Sequence, residues 1–220
     1  MSAVEMRPTS EPPSRRDNPF ATCWTRPGAI PFRFSCGQSA EQLLSRLAAQ
    51  NWRGAIIGPH GSGKTTLLSA LTTTLKAAGH DVLSVTLRDG QLRFPAEFYA
   101  ALNAGKSERI RVAIVDGYEQ LSWWERRRLA QRCRRANLGL IVTAHSPIRI
   151  PTLIELAPDR ALITQLVADL CVEVSTPIGA ELVAASHASH GSNVREIFFD
   201  LYDRYERARR VSRTRVTTRA

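Results

Sequence analysis

Short runs of apolar residues alternate with longer amphipathic segments along most of the chain. Five such runs have the length of buried strands: 53–58, 80–87, 111–116, 138–143 and 151–156. Between most of them, apolar residues recur at the three- and four-residue spacing of helices. Strands that are apolar throughout and alternate with helices are typical of parallel sheets covered on both faces. The pattern therefore predicts an α/β fold with a parallel sheet of about five strands.

The alternation stops after Pro158, and three segments with helical spacing follow, at 159–170, 177–190 and 192–209. The first nineteen residues are rich in Pro, Ser and Arg and nearly free of aliphatic side chains, which predicts disorder. We therefore expect four parts: a disordered tail (1–19), an α/β core with an extended N-terminal arm (20–157), a small helical domain (158–209) and a basic tail (210–220).

The composition is that of a globular protein, with 43% hydrophobic and 23% charged residues. No apolar run approaches the roughly 20 residues that cross a bilayer, and the N-terminus lacks the apolar stretch of a secretory signal. The four cysteines form no C-x-x-C pair, which argues against a zinc site or a disulfide framework. We therefore expect a cytoplasmic protein without a membrane partner.

The net charge of +10 is concentrated in two short segments. Residues 121–135 contain six Arg and one Glu, and residues 201–220 contain seven Arg and two acids. Such patches neutralise phosphates, so nucleic acid is one expected partner; a solvated helix face in an Arg-rich protein is the alternative. The candidate contacts are the basic C-terminal tail and Arg126, Arg127, Arg128, Arg132, Arg134 and Arg135.

A glycine-rich loop follows the first predicted strand and opens a helix. Its sequence, from Gly58 to Thr65, fits the pattern G-x-x-x-x-G-K-[ST] at every required position. Backbone N–H groups of such a loop turn inward onto phosphates, and the N-terminus of the helix adds partial positive charge. The sequence therefore predicts a nucleoside triphosphate site. The residues that we expect to bind the nucleotide are Gly58, Pro59, His60, Gly61, Ser62, Gly63, Lys64, Thr65 and Thr66.

Three side chains of this pattern carry specific chemistry. The Lys64 ammonium can reach the β- and γ-phosphates, and the Thr65 hydroxyl can bind Mg²⁺. Asp116 ends the third predicted strand, where a carboxylate can hold the same Mg²⁺ through water. Thr65 and Asp116 are therefore the predicted metal residues.

These motifs resemble those of P-loop NTPases, whose three-layer α/β core they imply. In AAA+ ATPases an acid usually follows the strand-end Asp directly and polarises the attacking water, but Gly117 stands here. The spacing is instead similar to that of the signal-transduction (STAND-type) ATPases. That resemblance implies that Glu119 is the catalytic base, with Gln120 in place of a second acid.

The resemblance implies two further catalytic residues. Thr143 ends the next apolar strand, the position at which AAA+ proteins sense the γ-phosphate. The stretch from His190 to Arg195 is similar to the one that opens a lid helix in AAA+ proteins of the origin-recognition and transposition-helper kind. In those proteins the arginine of this stretch is the second sensor of the γ-phosphate. The resemblance therefore implies this role for Arg195, and it implies that the helical domain is a lid.

Three functions are consistent with these residues. The first is a slowly hydrolysing ATPase that uses ATP and Mg²⁺ and acts as a switch on a protein or nucleic-acid partner or in a homo-oligomer. The second is a small P-loop phosphotransferase, and the third a nucleotide-dependent nucleic-acid adaptor without turnover. The absence of an assignable arginine finger leaves open whether hydrolysis needs a partner.

Overall fold

The computed structural model describes residues 14, 17–34, 37–103, 110–172, 174 and 178–217, the last six as backbone only. It divides into two compact units. One comprises residues 26–158 with Ser192–Val194. The other comprises the described residues within 159–191, those from Arg195 to Thr217 and those up to Thr25. The sequence predicts that the residues up to Thr25 belong to the tail and the core.

The first unit is built on a five-stranded sheet in which all strand pairs are parallel. The strands are β1 (Arg53–Ile57), β2 (Asp81–Thr86), β3 (Arg111–Asp116), β4 (Gly139–Ala144) and β5 (Thr152–Glu155). Their order across the sheet is β2-β3-β4-β1-β5. The strands β3, β4 and β1 are therefore neighbours, and their carboxyl ends meet at one edge, where ligands bind in open α/β sheets.

Eight α-helices occur in the described residues. They are α1 (Thr22–Thr25), α2 (Ala40–Ala49), α3 (Lys64–Ala77), α4 (Ala96–Asn103), α5 (Trp123–Arg135), α6 (Arg160–Cys171), α7 (Ala180–His190) and α8 (Val194–Thr217). The Ser39 side chain caps α2 by accepting a hydrogen bond from the Gln42 N–H.

Both faces of the sheet are covered, which explains why its central strands are apolar throughout. Alternate residues of β3 point to opposite faces. Val112 and Ile114 pack with buried leucines of α2 and α3, whereas Ala113 and Val115 pack with Phe98 and Leu102 of α4 and buried residues of α5. The unit therefore has three layers, with two hydrophobic cores separated by the sheet.

The second unit contains α1, α6, α7 and all of α8 after its first residue. Asp159 begins α6 by accepting a hydrogen bond from the Leu162 N–H at 2.8 Å. The helix α8 continues to Thr217, into the segment predicted to be a basic tail, because no Gly or Pro interrupts it. Within the described part of the chain, no helix is both long and apolar enough to span a bilayer.

The N-terminal segment packs onto α8 within this second unit. Asn18 is 5% exposed, and its side-chain amide donates to Glu206 Oε1 at 2.9 Å and to the Tyr202 carbonyl at 3.3 Å. Phe20 is buried with its ring centroid 6.4 Å from that of Phe198. The prediction of a wholly extended arm is wrong over Thr22–Thr25, which forms the short helix α1. Periodicity does not reveal a single helical turn.

Candidate functional site

The glycine-rich loop joins the end of β1 to the start of α3. A Cβ atom on Gly58 would lie 2.6 Å from Ser62 Oγ and 2.8 Å from the Leu156 carbonyl oxygen, so no larger residue fits there. Gly63 has a φ of +93°, which an L side chain rarely adopts. The glycines of the motif are therefore required by space and by backbone conformation, and they fold the loop back over the N-terminus of α3.

Lys64 lies in the first turn of α3 and is only 8% exposed. Its Nζ donates hydrogen bonds to the carbonyls of Gly58 at 2.7 Å and Pro59 at 2.8 Å. The ammonium is therefore held at the loop rather than in solvent. Ser62 Oγ is buried nearby, and it has no hydrogen-bond partner in the described part of the chain. The loop thus presents a positive charge and an unsatisfied hydroxyl, which suits an anionic oxygen ligand.

The Asp116 carboxylate connects three elements of the site. Thr65 Oγ1, on α3, donates to Asp116 Oδ2 at 2.8 Å. Thr143 Oγ1, on β4, donates to Asp116 Oδ1 at 2.8 Å and accepts the Gly117 N–H at 2.8 Å. Thr143 itself is buried, with 1% of its surface exposed. The predicted metal residues Thr65 and Asp116 and the predicted sensor Thr143 are therefore brought together.

The donor set fits Mg²⁺. A hydroxyl and a carboxylate are hard oxygen ligands, and Thr65 Oγ1 and Asp116 Oδ2 lie within hydrogen-bonding distance of each other. The residues that the structure describes contain no cluster of three or more His, Cys, Asp or Glu able to hold a metal ion by itself. Mg²⁺ commonly takes one or two protein ligands and completes its shell with water and substrate phosphates, so two residues suffice.

Gly117 explains why no acid follows Asp116 directly. Its φ is +83°, and an added Cβ would lie 2.7 Å from the Leu87 carbonyl oxygen. A glutamate at this position would clash with the residue that follows β2 and strain the backbone. The chain instead turns through a 3-10 helix, Tyr118–Gln120, and Glu119 is the first carboxylate after the strand.

Glu119 is held by a histidine at the end of β4. His145 Nε2 lies 3.0 Å from Glu119 Oε1, and the His145 ring centroid lies 3.8 Å from that of His60 in the glycine-rich loop. Burial lowers the pKa of His145, against the opposing effect of the Glu119 carboxylate. The contact is an ion pair when His145 is protonated. The second carboxylate oxygen, Oε2, is buried and has no partner among the described residues.

The contact of His145 with Glu119 is a feature of the site that sequence reasoning misses, because the two residues lie far apart in the sequence. The available signal is that His145 directly follows an apolar strand, two residues after Thr143. Arg195, the other predicted sensor, lies in the first turn of α8 and is exposed. It belongs to the helical unit, and its role stays a prediction.

Two arginines predicted to contact nucleic acid are engaged within their own chain. Arg126 donates to the Leu121 carbonyl at 2.9 Å and to the Glu119 carbonyl at 2.7 Å. The Arg132 guanidinium lies 4.4 Å from the centre of the Tyr99 ring. Arg126 thus supports the turn that carries Glu119, and Arg132 packs α5 against α4. Contact of these two arginines with nucleic acid stays a prediction. The sequence cannot distinguish them from the exposed arginines beside them.

Comparison with known proteins supports the fold. No protein-family model matches the chain, and no curated protein matches it. Among solved structures it is similar to AMPPCP-bound DnaA from Aquifex aeolicus, with a TM-score of 0.50 and 17% identity over 81% of this chain and 68% of DnaA. Its fold is similar to the AAA+ fold of DnaA. The predicted α/β fold with a five-stranded parallel sheet is thereby confirmed.

Replacement of Thr143 by Val tests the hydrogen-bond network around Asp116. Val preserves the shape but removes the hydroxyl, so Asp116 Oδ1 and the Gly117 N–H lose their partner. We expect the free energy of unfolding to fall by about 1–3 kcal/mol, measured by urea denaturation. Thr143→Ser keeps the hydroxyl and is the matched control. A Val variant as stable as the wild type would contradict the network.

Proposed function

We propose that this chain is a nucleotide-dependent switch that binds ATP with Mg²⁺ and hydrolyses it slowly. One observation carries the proposal: the Lys64 ammonium, the Thr65 hydroxyl and the Asp116 carboxylate lie together at the glycine-rich loop. The positions of Gly58 and Gly63 in this loop accept only glycine. Loop N–H groups and the α3 N-terminus would face the phosphates. Lys64 would exchange its loop carbonyls for phosphate oxygens, a charge-assisted contact.

The preference for ATP is inferred from the likeness in fold. The similar DnaA structure contains AMPPCP, an analogue of ATP. When bound, Mg²⁺ would shield the phosphate charge, with Thr65 and Asp116 as the protein groups that hold it. Thr143 would sense the γ-phosphate through its hydrogen bond to Asp116. Movement of the Asp116 carboxylate would change both hydrogen bonds of the Thr143 hydroxyl, the one to Asp116 and the one from the Gly117 N–H.

Glu119 is the base proposed for hydrolysis. His145 lies beside Oε1, and the Glu119 carboxylate would accept a proton from a water molecule as that water attacks the γ-phosphorus. The proton then resides on Glu119, and the bond from the γ-phosphorus to the bridging oxygen breaks to release ADP. Arg126 holds the Glu119 carbonyl and thereby fixes the turn. No arginine finger is assigned within the chain, so slow basal turnover is expected.

The switch role extends the resemblance to STAND-type and lid-bearing AAA+ proteins. The helical unit would act as a lid, with Arg195 as the residue that senses the γ-phosphate. A protein partner or a second copy of the chain would respond to the two states. These assignments derive from the motif around Arg195 and from the slow turnover expected of the site.

Replacement of Lys64 by Ala tests nucleotide binding. Loss of the ammonium should weaken ATP binding by about 100-fold or more, since a charge-assisted contact to two phosphates is removed. Isothermal titration calorimetry measures the affinity. Lys76→Ala, at the exposed end of the same helix, removes an equal charge and should leave the affinity unchanged. Equal affinities of the folded Lys64 variant and the wild type would refute the phosphate site.

Replacement of Glu119 by Gln tests hydrolysis. The amide keeps the hydrogen-bonding shape but accepts no proton, so ATP should stay bound while single-turnover hydrolysis slows by about 10²–10⁴-fold. Glu97→Gln on α4 is the matched control and should not change the rate. Identical rates for wild type and Glu119→Gln would remove Glu119 from the mechanism and favour a binding switch without turnover.

A further inference from the structure

The outward surface of α5 combines two exposed tryptophans with four arginines. At 100° per residue, the buried residues Glu125, Leu129 and Cys133 mark the inward side of the helix. We call the opposite side the tryptophan–arginine face. It consists of Trp123, Trp124, Arg127, Arg128, Gln131, Arg134 and Arg135.

These residues form two parallel rows along the helix. Residues four and eleven positions apart lie close to one line on a helix surface, because they differ by about 40° and 20° in angle. One row is therefore Trp123, Arg127 and Arg134. The other row is Trp124, Arg128 and Arg135. Each row begins with an indole and continues with two guanidinium groups over a length of about 16 Å.

The tryptophans are exposed to an extent that folding does not explain. Trp123 is 59% and Trp124 73% exposed, although large aromatic side chains are normally well buried. Their ring centroids are 4.6 Å apart in an edge-to-face arrangement, and the Arg127 guanidinium lies 5.6 Å from the centre of the Trp123 ring. This pair is therefore an ordered aromatic surface beside a cation, which is typical of a recognition site.

The charge on the face is of one sign. Glu125 is the only carboxylate in α5 and it is 8% exposed, because it turns inward and accepts a hydrogen bond from the Tyr99 hydroxyl. Arg128 lies 3.7 Å from Glu125 and 4.8 Å from the centre of the Tyr99 ring, but it stays exposed. A complementary partner must therefore be anionic and must also offer flat apolar groups to the two indoles.

We propose that the tryptophan–arginine face binds single-stranded nucleic acid. Unpaired bases stack on aromatic side chains, and the neighbouring phosphates pair with Arg, whatever the sequence. A duplex hides the faces of its bases, and an acidic polypeptide would match the arginines without using the tryptophans. The proposal goes beyond nucleotide binding at the glycine-rich loop and does not depend on it.

The base contact is tested with the full chain, without ATP, by fluorescence anisotropy. The probes are a labelled oligothymidylate and an abasic strand of the same length and charge. Trp124→Ala should weaken oligothymidylate binding by about 5-fold or more and leave abasic binding unchanged. Trp124→Phe keeps an aromatic ring and should retain most of the affinity. Equal losses on both strands, or no loss on either, would overturn the stacking proposal.

The phosphate contact is tested by the salt dependence of the same binding. Removal of one phosphate contact lowers the slope of log affinity against log salt by about 0.7 for single strands. The double variant R134Q/R135Q should therefore lower the slope by about 1.4, twice that amount. The control R93Q/R149Q removes two exposed arginines from loops and should leave the slope unchanged. Equal slopes for the two double variants would overturn the proposal.

Competition distinguishes the possible occupants. Unlabelled oligothymidylate should displace the probe at lower concentration than a blunt duplex, and poly-glutamate of matched charge should be weaker than both. A duplex that competes equally, with the same dependence on Trp124, would overturn the single-strand assignment. Stronger competition by poly-glutamate would identify an acidic protein surface as the partner instead. Circular dichroism confirms that each variant is folded.

Discussion

The candidate site depends on the Asp116 carboxylate, which two threonine hydroxyls hold from opposite sides. Thr65 approaches it from α3, and Thr143 approaches it from β4 and also accepts the Gly117 N–H. The parallel sheet makes this possible, since β3, β4 and β1 end at the same edge. One carboxylate thus fixes the start of α3 against two strands, and the glycine-rich loop is positioned between them.

The hydrogen bonds around Asp116 also determine which residue can serve as the catalytic base. Gly117 needs a positive φ and the absence of a Cβ to donate its N–H to Thr143, so the residue after Asp116 cannot carry a carboxylate. Glu119 supplies one from the following turn, which Arg126 holds by its carbonyl and His145 by its side chain. At position 119, two residues after Gly117, the carboxylate is positioned by these contacts with Arg126 and His145. The contact between His145 and His60 then joins Glu119 to the phosphate loop.

Much of the fold could be predicted because its signals are local. Apolar runs indicated the five strands, and the spacing of Gly58, Gly63 and Lys64 indicated a turn that opens a helix. The contacts of Glu119 and Arg126 could not be predicted in the same way. The histidine that contacts Glu119 follows β4, far from Glu119 in the sequence. On α5, the sequence does not distinguish Arg126 and Arg132, which make contacts within the chain, from Arg127 and Arg134, which are exposed. Such differences arise from packing between distant segments.

The central claim is that Asp116 serves the metal of a nucleotide site, and calorimetry of ATP binding in excess Mg²⁺ and in EDTA tests it most directly. The wild type should bind ATP more tightly with Mg²⁺ than without it. Asp116→Asn keeps the shape of the side chain but loses its charge, so the variant should bind as the wild type does in EDTA and gain little from Mg²⁺. An equal loss of affinity in both conditions, or an unchanged gain from Mg²⁺, would contradict the account.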